Sequence, residues 1–171
     1  MPHAVTHVLF AIVLVELIRD YAIKNKKKFP LHYVMIAGIS AMIPDIDIFL
    51  NWFGIDIIHR TLTHSLIFSS VFLLSFFAFN KIKIKSLSKH RLKLNVIFLM
   101  IFIGIFTHIA LDATLMGSVM PFYPFNAMLF GFNILSGINV NPETLMAGID
   151  AAILIAWLIH EEIKHKISSF L

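Results

Sequence analysis

Four short elements of this chain hold the residues whose types and spacing could do chemistry. They are His7, the pair Asp45 and Asp47 after Pro44, the string His59-Arg60-x-x-Thr63-His64-Ser65, and His108-x-x-x-Asp112. On a helix His108 and Asp112 share one face, one turn apart. Asp45 and Asp47 flank a single residue and offer two hard oxygen ligands close together, while His59 and His64 bracket the start of an apolar stretch. Imidazoles and carboxylates without sulfur suit Zn²⁺, Mn²⁺ or Fe²⁺ better than Ca²⁺ or copper. Zinc is the first expectation. The chain has no cysteine, which excludes thiolate metal sites, disulfides and Cys nucleophiles.

His7, Asp45, Asp47, His64, His108 and Asp112 are the expected metal ligands, with His59 as a further ligand or general base. That set exceeds what one tetrahedral ion takes, so two ions a few Å apart are expected. Such ions generate hydroxide at neutral pH by lowering the pKa of a bound water from about 16 to about 7. Arg60 is suited to clamp a phosphate or other oxyanion through its two-pronged donor set. Thr63 and Ser65 are placed to support the ligands from behind.

These residues need elements that bring them to one place, and the hydropathy supplies them. With 58% hydrophobic residues and seventeen Phe in 171 residues, the chain is too apolar for a soluble domain of its size. Five stretches, roughly 3–22, 31–50, 64–80, 94–113 and 143–162, each approach the twenty or so residues that a bilayer core requires. The expected fold is a single all-α domain over 1–171, an integral membrane bundle of about five transmembrane helices. A long, aromatic-rich outer loop, 114–142, joins the fourth helix to the fifth. Asn141 and Pro142 form a start signal for the fifth. The N-terminus lacks a basic segment and a cleavage site, and reads as a retained first helix rather than a signal peptide.

Of the fourteen Lys and Arg residues, all but Arg60 fall in three segments: Arg19 to Lys28, Lys81 to Lys93, and Lys164 with Lys166. Basic loops stay cytoplasmic, so this chain reads as a multi-pass cell-membrane protein with its chemistry toward the extracytoplasmic face. The net charge of +4 then reports topology and contact with the lipid bilayer, and no nucleic-acid contact is expected. Counting from those loops, His7 lies seventeen residues from Lys24, Asp45 fifteen from Pro30, His64 seventeen from Lys81 and His108 fifteen from Lys93. At 1.5 Å per residue all four sit about 22–26 Å from the inner edge, in one polar layer. Ionisable groups inside a bilayer are costly and normally functional. Singly, each has a plainer reading: His7 as a packing residue, Asp45 as a helix cap, His108 and Asp112 as a private hydrogen bond. A shared depth argues against all of these at once.

Other polar residues are expected to do less. Asp150 could reach the edge of the site, and Glu143 suits a helix N-terminus. Glu16 reads as snorkelling or paired beside Arg19 and Asp20. His3 is a weak candidate, and His32, His90, His160 and His165 read as surface residues on the inner side.

The ordered string from Thr6-His7 through Pro44-Asp45-Ile46-Asp47 and His59-Arg60-x-x-Thr63-His64-Ser65 to His108-x-x-x-Asp112 resembles the YdjM-like family. That family is described as LexA-regulated, inner-membrane, metal-dependent hydrolases of bacteria and archaea. The resemblance runs from residue 6 to about 125. It implies a membrane-bound metal-dependent hydrolase. A more distant similarity links the His-x-x-x-Asp helix to zinc-dependent phospholipase C and related nucleases, which implies a phosphoesterase acting on a lipid or lipid-linked substrate. Family members carry Thr-Pro-x-Gly soon after the last Asp, whereas this chain has Asp112-Ala-Thr114-Leu-Met-Gly117, with no Pro and the Gly displaced.

Three alternatives are weaker. A metal-free lipid phosphatase of the PAP2 type would need its Lys-x-x-x-x-x-x-Arg-Pro and Pro-Ser-Gly-His elements, and neither occurs. A metalloprotease would need His-Glu-x-x-His. A metal or proton transporter would need a second polar layer in the inner half, for which Glu16 and Asp150 are the only candidates in sequence.

Overall fold

A computed structural model describes residues 2–55 and 58–170. Seven α-helices occur among them: α1 Ala4–Leu17, α2 His32–Ser40, α3 Ile46–Trp52, α4 Leu66–Ala78, α5 Lys85–Lys89, α6 Leu94–Thr114 and α7 Pro142–His165. A π-helical turn, Ile18–Ala22, prolongs α1. There is no strand among the described residues, only one isolated antiparallel bridge between Val119 and Phe130. The all-helical expectation holds.

Two of these helices are long and apolar enough to cross a membrane, α6 with 21 residues and α7 with 24. At 1.5 Å per residue α6 is about 31 Å long, the thickness of a bilayer core. The apolar stretch 64–80 condenses to the 13-residue α4. The stretch 31–50 is not one helix. It stops at Ser40 and restarts at Ile46, because Pro44 has no N–H to give and disfavours helical backbone at Ile43. The break is what turns Asp45 and Asp47 inward instead of stacking them along a continuous helix.

α6 is the central element, with α1, α2 and α4 packed around it, and α7 lies mainly against α1. α2 and α6 cross closely because Gly104 has no side chain. A Cβ there would overlap the Ala37 carbonyl and lie 2.8 Å from both the Ala41 nitrogen and the Ser40 Cβ. Small residues at such crossings let helix backbones approach. Around the crossing, Val15, Tyr33, Val34, Ala37 and Met100 form a buried apolar cluster, and Ile105, Ile109, Ala113 and Val119 form another. The outside is apolar too: Trp52, Phe125, Leu74 and Ile163 are all largely exposed. Helices apolar on every side are built for lipid rather than water.

The segment between α6 and α7 folds back over the end of the bundle, as its composition suggests. Val119 and Phe130 exchange backbone hydrogen bonds of 2.9 Å, the Leu66 N–H donates to the Pro121 carbonyl at 2.9 Å, and the Phe132 N–H donates to the Ala113 carbonyl at 2.6 Å. α7 begins where expected, with Pro142 in its first turn and the Asn141 side chain accepting from the Glu143 N–H at 2.9 Å.

Candidate metal centre

The four elements converge on one buried site. His7 comes from α1, His108 and Asp112 from α6, Asp45 and Asp47 from the break before α3 and its first turn, and His59, Arg60 and His64 from the turn leading into α4. Asp47, His64, His108 and Asp112 have no exposed surface, and His7 is almost fully buried. The ring of His7 stacks on that of His108, with centroids 3.7 Å apart and planes inclined by 15°.

The hydrogen bonds behind the rings decide which nitrogens face inward. The Nδ1 of His108 meets the Ala41 carbonyl at 2.6 Å, and a carbonyl only accepts, so Nδ1 carries the proton. That carbonyl is one of those α2 leaves unpaired at its C-terminal end. His59 Nδ1 donates to Asp47 Oδ1 at 2.9 Å. Thr63 donates its hydroxyl proton to Asp47 Oδ2 at 3.2 Å, leaving its oxygen to accept from His64 Nδ1, also at 3.2 Å. In neutral rings the Nε2 atoms of His59, His64 and His108 are therefore bare lone pairs.

Those lone pairs crowd together with carboxylate oxygens. His64 Nε2 and His108 Nε2 stand 3.2 Å apart. Asp45 Oδ1 lies 3.4 Å from the first and 3.5 Å from the second. Asp112 Oδ2 lies 3.7 Å from each, and Asp112 Oδ1 lies 3.5 Å from His7 Nε2. The ligand atoms fall into two compact triads, His7 with His108 and Asp112, and Asp45 with His59 and His64. Among the described residues, eight buried side-chain atoms have no hydrogen-bond partner. Seven of them are here: His7 Nδ1, Asp45 Oδ1, His59 Nε2, Arg60 Nε and Nη2, and both oxygens of Asp112. Unpaired buried acceptors facing one another cost several kcal/mol unless a positive centre lies between them. The donor set, three to four imidazoles with two or three carboxylates and no sulfur, fits one or two borderline divalent ions.

Comparison with family models decides the kinship: residues 1–167 match the YdjM inner membrane protein family. The chain belongs to that family. Comparisons with curated proteins and with solved structures returned no match.

Every site residue expected from sequence is brought to the same place, though not all of them join the two triads. Asp47 turns its oxygens to His59, to Thr63 and to the Ile48 N–H, 2.7 Å from Oδ1. It stands behind His59 instead of joining either triad. Arg60 sits in the left-handed backbone region, at φ 65°, and its Nη2 lies 3.5 Å from Asp112 Oδ2. Its guanidinium lies against Gly117, where any Cβ would collide with it. Gly117 thus makes room for Arg60. Gly117 is held by its N–H, which donates to Asn133 Oδ1 at 2.6 Å.

Asp150 does not reach the triads. It accepts from Thr6, the residue before His7, and pairs with His3 Nδ1 at 2.9 Å, fastening α7 to the start of α1. Two histidines read as surface residues are not free. His160 and His165 both point Nε2 at Asp20 Oδ2, at 3.1 and 2.9 Å. Sequence reading missed this because their partner lies 140 residues or more away along the chain.

Proposed function

We propose that this YdjM protein is a membrane-bound metal-dependent hydrolase, a phosphoesterase acting on a lipid or lipid-linked substrate. The observation that carries this reading is the facing pair of bare nitrogens, His64 Nε2 and His108 Nε2, ringed by unpartnered carboxylate oxygens with Arg60 at the rim. His7, His108 and Asp112 would hold one divalent ion, and Asp45, His59 and His64 a second. Zinc is favoured, and Mn or Fe also suits the ligands. Bound there, such ions supply Lewis acidity and a water acidic enough to act as nucleophile near neutral pH.

The protein's own groups do the rest. The carbonyl of Ala41, Asp47 and Thr63 fix the tautomers of His108, His59 and His64, so each presents a lone pair without reorganising. Arg60 donates Nη–H and Nε–H bonds to the non-bridging oxygens of a phosphoryl group and stabilises the charge that grows there. Asp112 and the close backbone of Gly117 keep that guanidinium aimed.

Apolar clefts beside the site support a substrate with an acyl or prenyl tail. One, of about 230 Å³, lies between α4, α6 and the folded-back loop, with Leu66, Ala113 and Pro121 in its wall. Another, of about 450 Å³, runs between α1 and α6 along Phe10, Leu14 and Leu111. Both meet α6 within a turn of Asp112.

The topology proposed with this function has about five crossings: α1 with its π turn, the broken α2–α3 unit, α4, α6 and α7. The basic loops face the cytoplasm and the metal layer faces the extracytoplasmic side. A transporter would need a polar path through the bundle. An inner polar cluster does exist around Asp20, but Ala11, Val15, Ala37 and Met100 are buried between the two layers, which favours the hydrolase.

Arg60→Ala separates the readings. With a phospholipid or p-nitrophenyl phosphodiester in detergent, the hydrolase reading predicts a drop in turnover of about 10²–10³-fold with metal retained. Unchanged turnover would remove Arg60 from the chemistry.

A further inference from the structure

The inner ends of α1 and α7 carry a second convergence of ligand-type side chains, apart from the site above. Glu16 and Asp20 are four residues apart and share a face of α1 and its π turn. Opposite them, α7 presents Trp157, His160, Glu161 and His165. Asp20 divides its carboxylate in two. Oδ1 takes Lys26 Nζ at 2.8 Å and Arg19 Nη1 at 3.1 Å, whereas Oδ2 faces only imidazoles, His160 Nε2 at 3.1 Å and His165 Nε2 at 2.9 Å. Asp20 has no exposed side-chain surface.

A second triad shares His165. One oxygen each of Glu16 and Glu161 and a ring nitrogen of His165 all lie within 4.8 Å of one another. Glu161 Oε1 is 3.9 Å from His165 Nε2, and Glu16 is steadied by the Trp157 indole N–H at 2.7 Å. The eighth unpartnered buried atom of the described chain is here: Glu161 Oε1. Three carboxylates face two cations, Arg19 and Lys26, both of which are committed to the far oxygen of Asp20. The near side gathers Asp20 Oδ2 and the Nε2 atoms of His160 and His165 within 4.8 Å of one another.

We propose that this near side is a second divalent transition-metal site, held by Asp20 Oδ2, His160 Nε2 and His165 Nε2, which clasps the inner end of α7 to α1. Two nitrogens and one oxygen supply three positions of a tetrahedral ion, and Glu161, whose Oε1 lies 3.9 Å from His165 Nε2, stands beside the fourth. Zinc is favoured over Mg²⁺ or Ca²⁺ because two of the three donors are imidazoles. A clasp has a purpose here, since α7 packs mainly against α1 and is otherwise exposed along most of its length. From His7 to Asp20 is thirteen residues, or about 20 Å along a helix, so the two sites fill independently.

The test is a Zn²⁺ and Co²⁺ titration of the detergent-solubilised full chain, with His160→Asn/His165→Asn and His64→Ala/His108→Ala compared with wild type. Asparagine keeps an N–H donor for Asp20, so a site that is only hydrogen-bonded survives it, while the metal ligands are lost. The expected result is loss of one equivalent in the asparagine variant, a melting temperature no longer raised by Zn²⁺ at that equivalent, and retention of that equivalent in His64→Ala/His108→Ala. Glu161→Gln, a milder change, should weaken the same equivalent at least tenfold. Equal zinc stoichiometry in wild type and both inner variants would overturn the inner site. Failure of the outer variant to lose metal would count against the hydrolase reading and leave the inner site standing.

Discussion

His64 and His108, 44 positions apart in the chain, bring their Nε2 atoms to 3.2 Å with no proton assigned to either. The reason lies behind each ring, where the Ala41 carbonyl and the Thr63 hydroxyl hold the Nδ1 protons. Two lone pairs at that distance repel unless a cation sits between them. The close crossing of α2 and α6 at Gly104 is what sets the Ala41 carbonyl against His108.

Asp47→Asn tests whether Asp47 orients His59 or binds metal itself. As an orienting carboxylate, its loss should weaken metal affinity about 10–100-fold without changing the number of ions bound. Competition with a chelator of known affinity reads the difference. Loss of a whole equivalent would make Asp47 a ligand.

Gly117→Ala should act at a distance through Arg60. A Cβ at that position meets the guanidinium directly, and the φ of 138° disfavours any side chain. Turnover is expected to fall toward that of Arg60→Ala while bound metal is unchanged. Activity equal to wild type would show that Arg60 has room to move and is not held by Gly117.

Gly104→Ala should destabilise the bundle by about 1–3 kcal/mol, the usual cost of overpacking, because its neighbours are the Ala37 and Ala41 backbone and the Ser40 Cβ, none of which can swing away. It should also loosen metal binding, since the Ala41 carbonyl would retreat from His108. Thermal unfolding in detergent, with and without Zn²⁺, measures both effects. An unchanged melting temperature would contradict the close crossing.

Asn141→Ala removes the cap of α7 and should cost about 0.5–2 kcal/mol in that helix alone. Faster amide exchange confined to the first turn of α7, with site activity intact, is the expected outcome. Global destabilisation would mean that α7 is more tightly joined to the bundle than its packing suggests.

Much of the convergence of the site was legible in the sequence because residues can be counted along helical stretches from their ends. Counts of fifteen or seventeen residues from Lys24, Pro30, Lys81 and Lys93 gave the expectation that His7, Asp45, His64 and His108 share a level, and their side chains do meet in one site. The helical spacing of His108 and Asp112, and the Asn141-Pro142 start of α7, likewise need only local rules. Three things were not legible. The break in the stretch 31–50 has a local signal in Pro44, but its hydropathy is continuous and reads as one span. The different duties of Asp45 and Asp47 depend on where the turn before α4 places His59 and Thr63. The inner cluster depends on α7 returning beside α1, which no local pattern in His160 or His165 reveals.

The most direct test of the account is metal content by inductively coupled plasma mass spectrometry on the folded, detergent-purified protein, wild type beside His108→Ala/Asp112→Ala. The account predicts that the variant loses at least one equivalent of a transition metal, with loss of both outer ions if they depend on each other through Asp45. Equal metal in the two proteins, or none in the wild type prepared without chelators, would contradict a metal centre at His64 and His108.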